Sequence, residues 1–373
     1  MATTTIMLKL IVLYVAINVV SMTIVTAEKG KVGAPMFIFG DSTMDVGTNN
    51  YLPNSTSRAD HPYNGIDFAD SKPTGRFSNG KNAADQLAKL LGNYKASPPP
   101  FLSFLKQNQT YFNRTILRGA NFASGGSGVF NQTGSALFKQ VISMEDQIKQ
   151  FATYRSNITQ LLGSQKAVDA LLRKSIYIIS VGGNDLVEYA MFHRGQIGDP
   201  KQLIFNLTKV YSIHLTNLYN LGARKFGIIG VPPIGCCPAS RGFNATGGCY
   251  EAMNDNARSF YKSLATLLSD SALMYKDFKY SLGNSYEMAM NVIDNPRGNR
   301  FKEVKTACCG SGNFKGEGDC VTGASLCNNR DDYLFWDKVH PTQKVSQLAA
   351  LTLVYGEGSE YVTPMNFSSL AMT

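Results

Sequence analysis

Ser175-Ile176-Tyr177-Ile178-Ile179-Ser180-Val181 reads as a continuous apolar strand, and it stops at the turn Gly182-Gly183-Asn184-Asp185. A run with no polar alternation is what a strand buried on both faces requires. Outward from it, residues 165–174 have helical spacing on one side, and a long helix is expected from Lys201 to about Leu221 on the other. Met36-Phe37-Ile38-Phe39 is a first strand that ends abruptly at Gly40-Asp41-Ser42. Residues 116–123 form a weaker strand candidate running into Ser124-Gly125-Gly126-Ser127-Gly128, and residues 225–231 form a strand stopped by Pro232-Pro233. Further helices are expected over 83–91 with Gly92 as C-cap, over 144–162 closed by Gly163, over 250–275 and over 343–355. Strands alternating with helices imply right-handed crossovers, hence an α/β fold with a mainly parallel sheet covered by helices on both faces. In such sheets functional groups collect at the carboxyl ends of the strands. Three of these strands end in loops rich in Gly, Ser, Asn and Asp.

The composition is that of a globular chain: 373 residues, 44% hydrophobic and 17% charged, too few charges for disorder. Lys9 precedes an apolar run from Leu10 to Val25, and Val25-Thr26-Ala27 then offers small residues before Glu28-Lys29. This is the layout of a secretory signal peptide over residues 1–27, leaving 28–373 as a single domain. An uncleaved anchor is the rival, but Asn18 and Ser21 interrupt the run. Eight Asn-x-Ser/Thr sequons, at Asn54, Asn108, Asn113, Asn131, Asn157, Asn206, Asn244 and Asn366, agree with export and a glycosylated surface. All seven cysteines lie between Cys236 and Cys327, so disulfides would staple only the C-terminal third and leave at least one thiol over. A zinc site fits poorly, because CxxC pairs are absent and no histidine lies near before His340. The net charge of +9 is scattered, without the basic stripe that nucleic acid demands. In an extracellular setting it would favour anionic polysaccharide.

A serine hydroxyl becomes a nucleophile only with a base to take its proton and a group to orient that base. The chain has four histidines. His214 falls within a helix, where a structural role is the plain reading; His193 sits in a polar connection; His61 precedes Pro62 in a turn-rich loop and is a candidate pocket residue. His340, in Phe335-Trp336-Asp337-Lys338-Val339-His340-Pro341-Thr342, has Asp337 three residues before it, within reach of its ring in a turn. The plain alternative is a loop leading into a helix, with Asp337 bonding the turn. Gly126 could supply a backbone N–H, and Asn184 a side-chain amide, to a developing oxyanion, with the Ser42 amide as a third donor. Asp41 and Asp45 are better suited to holding loop backbone.

Four blocks carry a resemblance: residues 39–50 (Phe39-Gly40-Asp41-Ser42 through Asn49-Asn50), 119–128 (Gly119-Ala120-Asn121 through Gly128), Val181-Gly182-Gly183-Asn184-Asp185, and Phe335 to Thr342. With Gly75-Arg76-Phe77-Ser78-Asn79-Gly80 and Cys308-Cys309-Gly310 between them, the chain resembles the plant-type GDSL esterases/lipases of the SGNH hydrolase superfamily. The resemblance implies a flavodoxin-like three-layer α/β/α domain, with Ser42 as nucleophile, His340 as base and Asp337 as orienting acid. It also implies an oxyanion hole of Ser42, Gly126 and Asn184, with Gly125 the competitor for the second place. Thr43 stands where the motif's name has Leu, and Thr48 where Asn is commoner. The absence of a Gly-x-Ser-x-Gly elbow separates this reading from the α/β-hydrolase fold.

The expectation is therefore a secreted esterase/lipase acting on a lipid, an acylated sugar or a cell-wall ester, without cofactor or metal. An acyltransferase with the same residues and an inactive cell-wall binding protein are the alternatives. A nucleotide-binding loop is excluded, since no Lys-Ser/Thr follows Gly125-Gly126-Ser127-Gly128.

Overall fold

The computed structural model describes residues 34–92, 94–106, 115–192, 199–358 and 360–373. The leader sequence 1–27, His193 and the sequons at Asn108 and Asn113 lie outside the described residues. The main sheet is built from β1 (Met36–Gly40), β2 (Gly119–Asn121), β3 (Ile176–Ser180), β4 (Lys225–Ile229), β5 (Lys279–Gly283) and β6 (Val362–Thr363). Their order is β2-β1-β3-β4-β5-β6; the first five run parallel, and β6 is antiparallel to β5. The parallel part has the 2-1-3-4-5 order of a flavodoxin-like winding, which reverses direction between β1 and β3.

The flanking helices are α1 (Ala83–Gly92), α2 (Met144–Leu162), α3 (Gln165–Lys174), α4 (Gly183–Phe192), α5 (Pro200–Asn220), α6 (Glu251–Met274), α7 (Ser285–Asp294), α8 (Gln343–Tyr355) and α9 (Phe367–Met372). Alternate residues of each strand feed two separate cores. Phe37, Phe39, Tyr177, Ile179 and Phe226 pack with Phe151 and Tyr154 of α2, Leu207 of α5 and Phe260 of α6. Met36, Ile38, Ile176 and Ile178 pack with Leu87 of α1, Leu353 of α8 and Phe367 of α9. Both faces of the sheet are thus dry, which is why its central strands read as unbroken apolar runs. The result is the expected three-layer α/β/α arrangement.

Capping accounts for several helix ends. The Ser143 hydroxyl accepts the Asp146 amide of α2 at 3.2 Å, and Gly163 ends that helix at φ 61°. Asp199 accepts the Lys201 amide at 2.9 Å, and Pro200 opens α5. The expected strand over 116–123 is shorter, because residues 116–118 form a 3-10 turn and Gly119 reverses the backbone at φ 108°. Asn184 is not in a loop at the strand end as expected but in the first turn of α4, with Gly182 at φ 122° making the bend. Three disulfides are present: Cys236–Cys249, Cys308–Cys327 and Cys309–Cys320; Cys237 is free and buried. No helix among the described residues is long and apolar enough to cross a membrane.

Candidate active site

β1 ends against β3 so tightly that a side chain at residue 40 is impossible. A Cβ there would lie 2.0 Å from the Ser180 carbonyl oxygen, and Gly40 has φ 137°. The close approach turns the chain sharply upward, with the Asp41 amide donating to Ser180 O at 3.1 Å. Ser42 follows, half-buried at the switch point between β1 and β3.

His340 Nε2 lies 2.8 Å from Ser42 Oγ. On its other side, His340 Nδ1 is 2.9 and 2.8 Å from the two oxygens of Asp337. A carboxylate only accepts, so Nδ1 carries the ring proton and Nε2 is left to accept from the serine hydroxyl. Asp337 also accepts the backbone amides of Val339 at 2.9 Å and His340 at 2.8 Å, which locks the Asp-x-x-His turn. Burial works to raise the Asp337 pKa, but the charge of His340 and these hydrogen bonds prevail, and the group lies below the usual carboxylate range. The loop is pinned at its ends, where Trp336 N donates to His340 O at 2.8 Å and Thr342 N to Leu334 O at 3.0 Å. Phe77 packs over the imidazole, its ring centroid 4.9 Å away.

The Gly-rich loop after β2 stands across from this pair. The Gly125 amide is consumed by Asp45 at 2.9 Å. Among the described residues, the amides of Gly126 and Ser42 donate to no protein acceptor. Gly126 has φ 87°, and a Cβ there would meet the Phe138 ring at 2.5 Å. Asn184 Nδ2 donates one hydrogen to Ser127 O at 2.8 Å, leaving its second free.

Buried polar side chains hold these parts in register. Asp45 accepts Gly47 N and Thr48 N, each at 2.7 Å, besides Gly125 N. Asp185 accepts Val129 N at 2.8 Å, Phe130 N at 3.0 Å and Thr133 Oγ1 at 2.7 Å. Burial outweighs these donors and raises both carboxyls to about 6. Asp41 is raised too, by burial, against the Thr43 hydrogen bonds and the charge of His340.

The two other described histidines, His61 and His214, do not join the site. His214 Nε2 donates to Val129 O at 2.9 Å, and burial lowers its pKa. The ring of His61 contacts Pro62 O and Arg58 O within its own loop.

Two contributors were not singled out from the sequence. Gln147, on the buried face of α2, exchanges bonds with Gly40 N and O, each at 2.9 Å, and reaches Ser127 Oγ at 3.1 Å. It thereby ties the serine turn to the Gly-rich loop. A polar residue inside the apolar stripe of Met144, Ile148 and Phe151 was its available signal. Arg76 makes a two-pronged pair with buried Asp85 of α1, at 2.6 and 2.8 Å, and so fixes the segment that carries Phe77.

Residues 36–353 match the family model described as GDSL-like Lipase/Acylhydrolase. A GDSL esterase/lipase of Arabidopsis thaliana is 34% identical over 93% of this chain and 93% of its own length. Another from the same plant is 36% identical over 89% of each. A match of this extent, on a sheet that winds as described, leaves one assignment: the chain belongs to the GDSL-like lipase/acylhydrolase family and is a carboxylic ester hydrolase.

Proposed function

We propose that the chain hydrolyses esters in two acyl-transfer steps centred on Ser42. His340 Nε2 takes the hydroxyl proton as Ser42 Oγ attacks the ester carbonyl carbon. The tetrahedral oxyanion is received by the amides of Ser42 and Gly126 and the Asn184 side chain. His340 then returns the proton to the departing alcohol, the acyl group rests on Ser42, and a water activated by His340 releases the acid. Asp337 keeps the imidazole in the required tautomer and stabilises it once protonated. The unbroken line Asp337–His340–Ser42 is the observation that carries this reading. The commitment of Gly125 N to Asp45 favours Gly126 as the second oxyanion donor.

A fluorophosphonate probe labels the wild-type protein at Ser42, and Ser42→Ala neither labels nor hydrolyses p-nitrophenyl esters while keeping its circular dichroism. Turnover by the alanine variant equal to wild type sinks the assignment.

We infer secretion as well, on the leader at 1–27, the sequons and the three disulfides of a C-terminal lobe. The net charge of +9, less the one carried off by Lys9 with the leader, would then draw the enzyme toward anionic wall polysaccharide near its ester substrate.

A further inference from the structure

The apolar side chains most open to solvent gather at one end of the sheet. Among the described residues, Leu273 is 84% exposed, Met372 78% and Met274 73%, ahead of every other large apolar side chain. Leu273 and Met274 close α6, and Met372 closes α9. α6 packs on the sheet face that carries Phe226, and α9 on the opposite face. Both helices finish at the amino ends of the strands. α6 leads through a short turn into Lys279, the first residue of β5, and Nζ of Lys225, the first residue of β4, donates to Ala371 O at 2.9 Å.

The same edge is basic. Lys225 and Lys279 are register partners on neighbouring strands, Lys276 stands in the turn into β5, and Arg173 and Lys174 end α3 just before β3. Asp277 is the carboxylate of that edge, and it already accepts Arg173 and Arg224. Asp270 lies a turn back on α6. Cations at a helix end have an ordinary account, since they complement its exposed carbonyls. That accounts for Arg173 and Lys174 but not for three bare apolar side chains beside them.

We propose that this amino end docks on the surface of an anionic phospholipid bilayer, with Leu273, Met274 and Met372 entering the headgroup layer and the surrounding lysines meeting acidic headgroups. Apolar side chains among cations suit such a surface, where alkyl groups leave water and each cation gains from the negative potential. An acidic polysaccharide would attract the lysines but has no alkyl layer to receive the apolar side chains. The contact is peripheral, because no described helix is long and apolar enough to cross a membrane. The loops that carry Ser42 leave the opposite ends of the strands, a strand length of about 15 Å or more away. The docked enzyme therefore turns its site away from the bilayer and toward esters on the aqueous side. This orientation, though not the docking, rests on Ser42 being the nucleophile.

Co-sedimentation with phosphatidylcholine vesicles, with and without phosphatidylserine, compares wild type with the double variants Leu273→Ser/Met274→Ser and Lys276→Glu/Lys279→Glu. Retention on immobilised polygalacturonate is measured beside it. Wild type binds the phosphatidylserine vesicles about tenfold or more tighter than phosphatidylcholine alone, and salt weakens the binding. Each double variant loses about tenfold or more of that binding. Both keep p-nitrophenyl acetate turnover within about twofold, which also reports that they are folded. The serine pair leaves polygalacturonate retention unchanged, since charge alone governs it. Wild type that ignores the acidic vesicles overturns the proposal. So does a serine pair that binds them as wild type does, because the edge is then a purely ionic surface suited to polysaccharide. Loss of acetate turnover on saturation with vesicles means that the site faces the bilayer, and the orientation fails. A Ser42→Ala protein that still cleaves acetate removes the parent reading and with it the orientation, while vesicle binding decides the docking.

Discussion

Asp337 is a half-buried carboxyl and Asp185 a buried one, and their surroundings drive them in opposite directions. Around Asp337, desolvation works to raise the pKa, but the charge of His340 and the hydrogen bonds from its ring and from two backbone amides hold it down. Asn at this position would offer the ring a mixed donor and acceptor, favouring the tautomer in which Nε2 carries the proton and cannot accept from Ser42. On the proposed roles, Asp337→Asn lowers kcat by about 10³- to 10⁴-fold with little change in KM; stopped assays on a short ester check this, and a loss below tenfold speaks against an orienting role. Asp185 faces only neutral donors, and burial raises it from 3.8 to about 6. The folded state therefore binds the extra proton between about pH 4 and pH 6, so this carboxyl's contribution to stability is full below that window and is lost as pH rises through it. At 1.36 kcal/mol per unit, the swing is about 3 kcal/mol. Asp185→Asn, which cannot titrate, is less stable than wild type in acid, and the gap narrows toward neutral pH. Denaturant midpoints for both proteins across that window supply the test, and a gap that ignores pH defeats it.

Among elements, the segment 75–80 shows how a structural ion pair supports the His340 ring at one remove, through Phe77. The Arg76 side chain is 9% exposed and that of Asp85 fully buried. Asp85 also accepts Asn82 N at 3.2 Å and Ser97 N at 2.9 Å. Removing the guanidinium leaves a buried charge with amide donors alone, at a cost of about 3–5 kcal/mol. Arg76→Met thus lowers the unfolding midpoint sharply, and adding Asp85→Leu restores part of it by taking away the stranded charge. Equal destabilisation by the single and double variants would contradict this. The pair could not be anticipated from sequence, because nine residues and a turn separate partners that only the folded loop brings together. The long elements were legible for the opposite reason. Residues 144–162, 165–174 and 343–355 carry their own periodicity and stop signals, and the structure has those same bounds. β5 and α7 escaped notice. β5 begins with exposed Lys279 and half-exposed Tyr280 and then buries the polar Ser281, whose hydroxyl is bonded to Met365 O, so no apolar run forms. α4 was hidden by the Gly-Gly that opens it, a pair that reads as loop until the bend at Gly182 is seen.

For the whole molecule, residues far apart in sequence meet because the winding reverses between β1 and β3, and every loop that matters leaves the sheet at the same end. Ser42 was readable from its own block, and its distance to His340 follows from the topology. What supports the histidine loop was not readable: all cysteines lie between Cys236 and Cys327, but the pairing of those ahead of Asp337 depends on a lobe whose regular structure is only a two-residue ladder, Cys309–Gly310 with Ser325–Leu326, and short 3-10 turns. In that lobe, Cys308 N donates to Phe335 O at 3.0 Å and Cys309 N to Trp336 O at 2.8 Å, directly ahead of Asp337. Cys308 and Cys309 are wholly buried, and their bridges to Cys327 and Cys320 close loops of 19 and 11 residues. Trp336 is anchored in turn by Asn64, which accepts its indole N–H at 2.9 Å. The sheet does not need these bridges, since its two cores are built from other residues, whereas the backbone under Asp337 does. Opening Cys308–Cys327 with a double serine variant should cost about 3 kcal/mol, and the loss should fall on the lobe first. On heating, ester hydrolysis by that variant disappears several degrees below the loss of far-ultraviolet circular dichroism, while in wild type the two transitions coincide. Coincident transitions in the variant would mean that the lobe and the sheet melt as one unit, and that the bridge stabilises the whole molecule rather than the histidine loop.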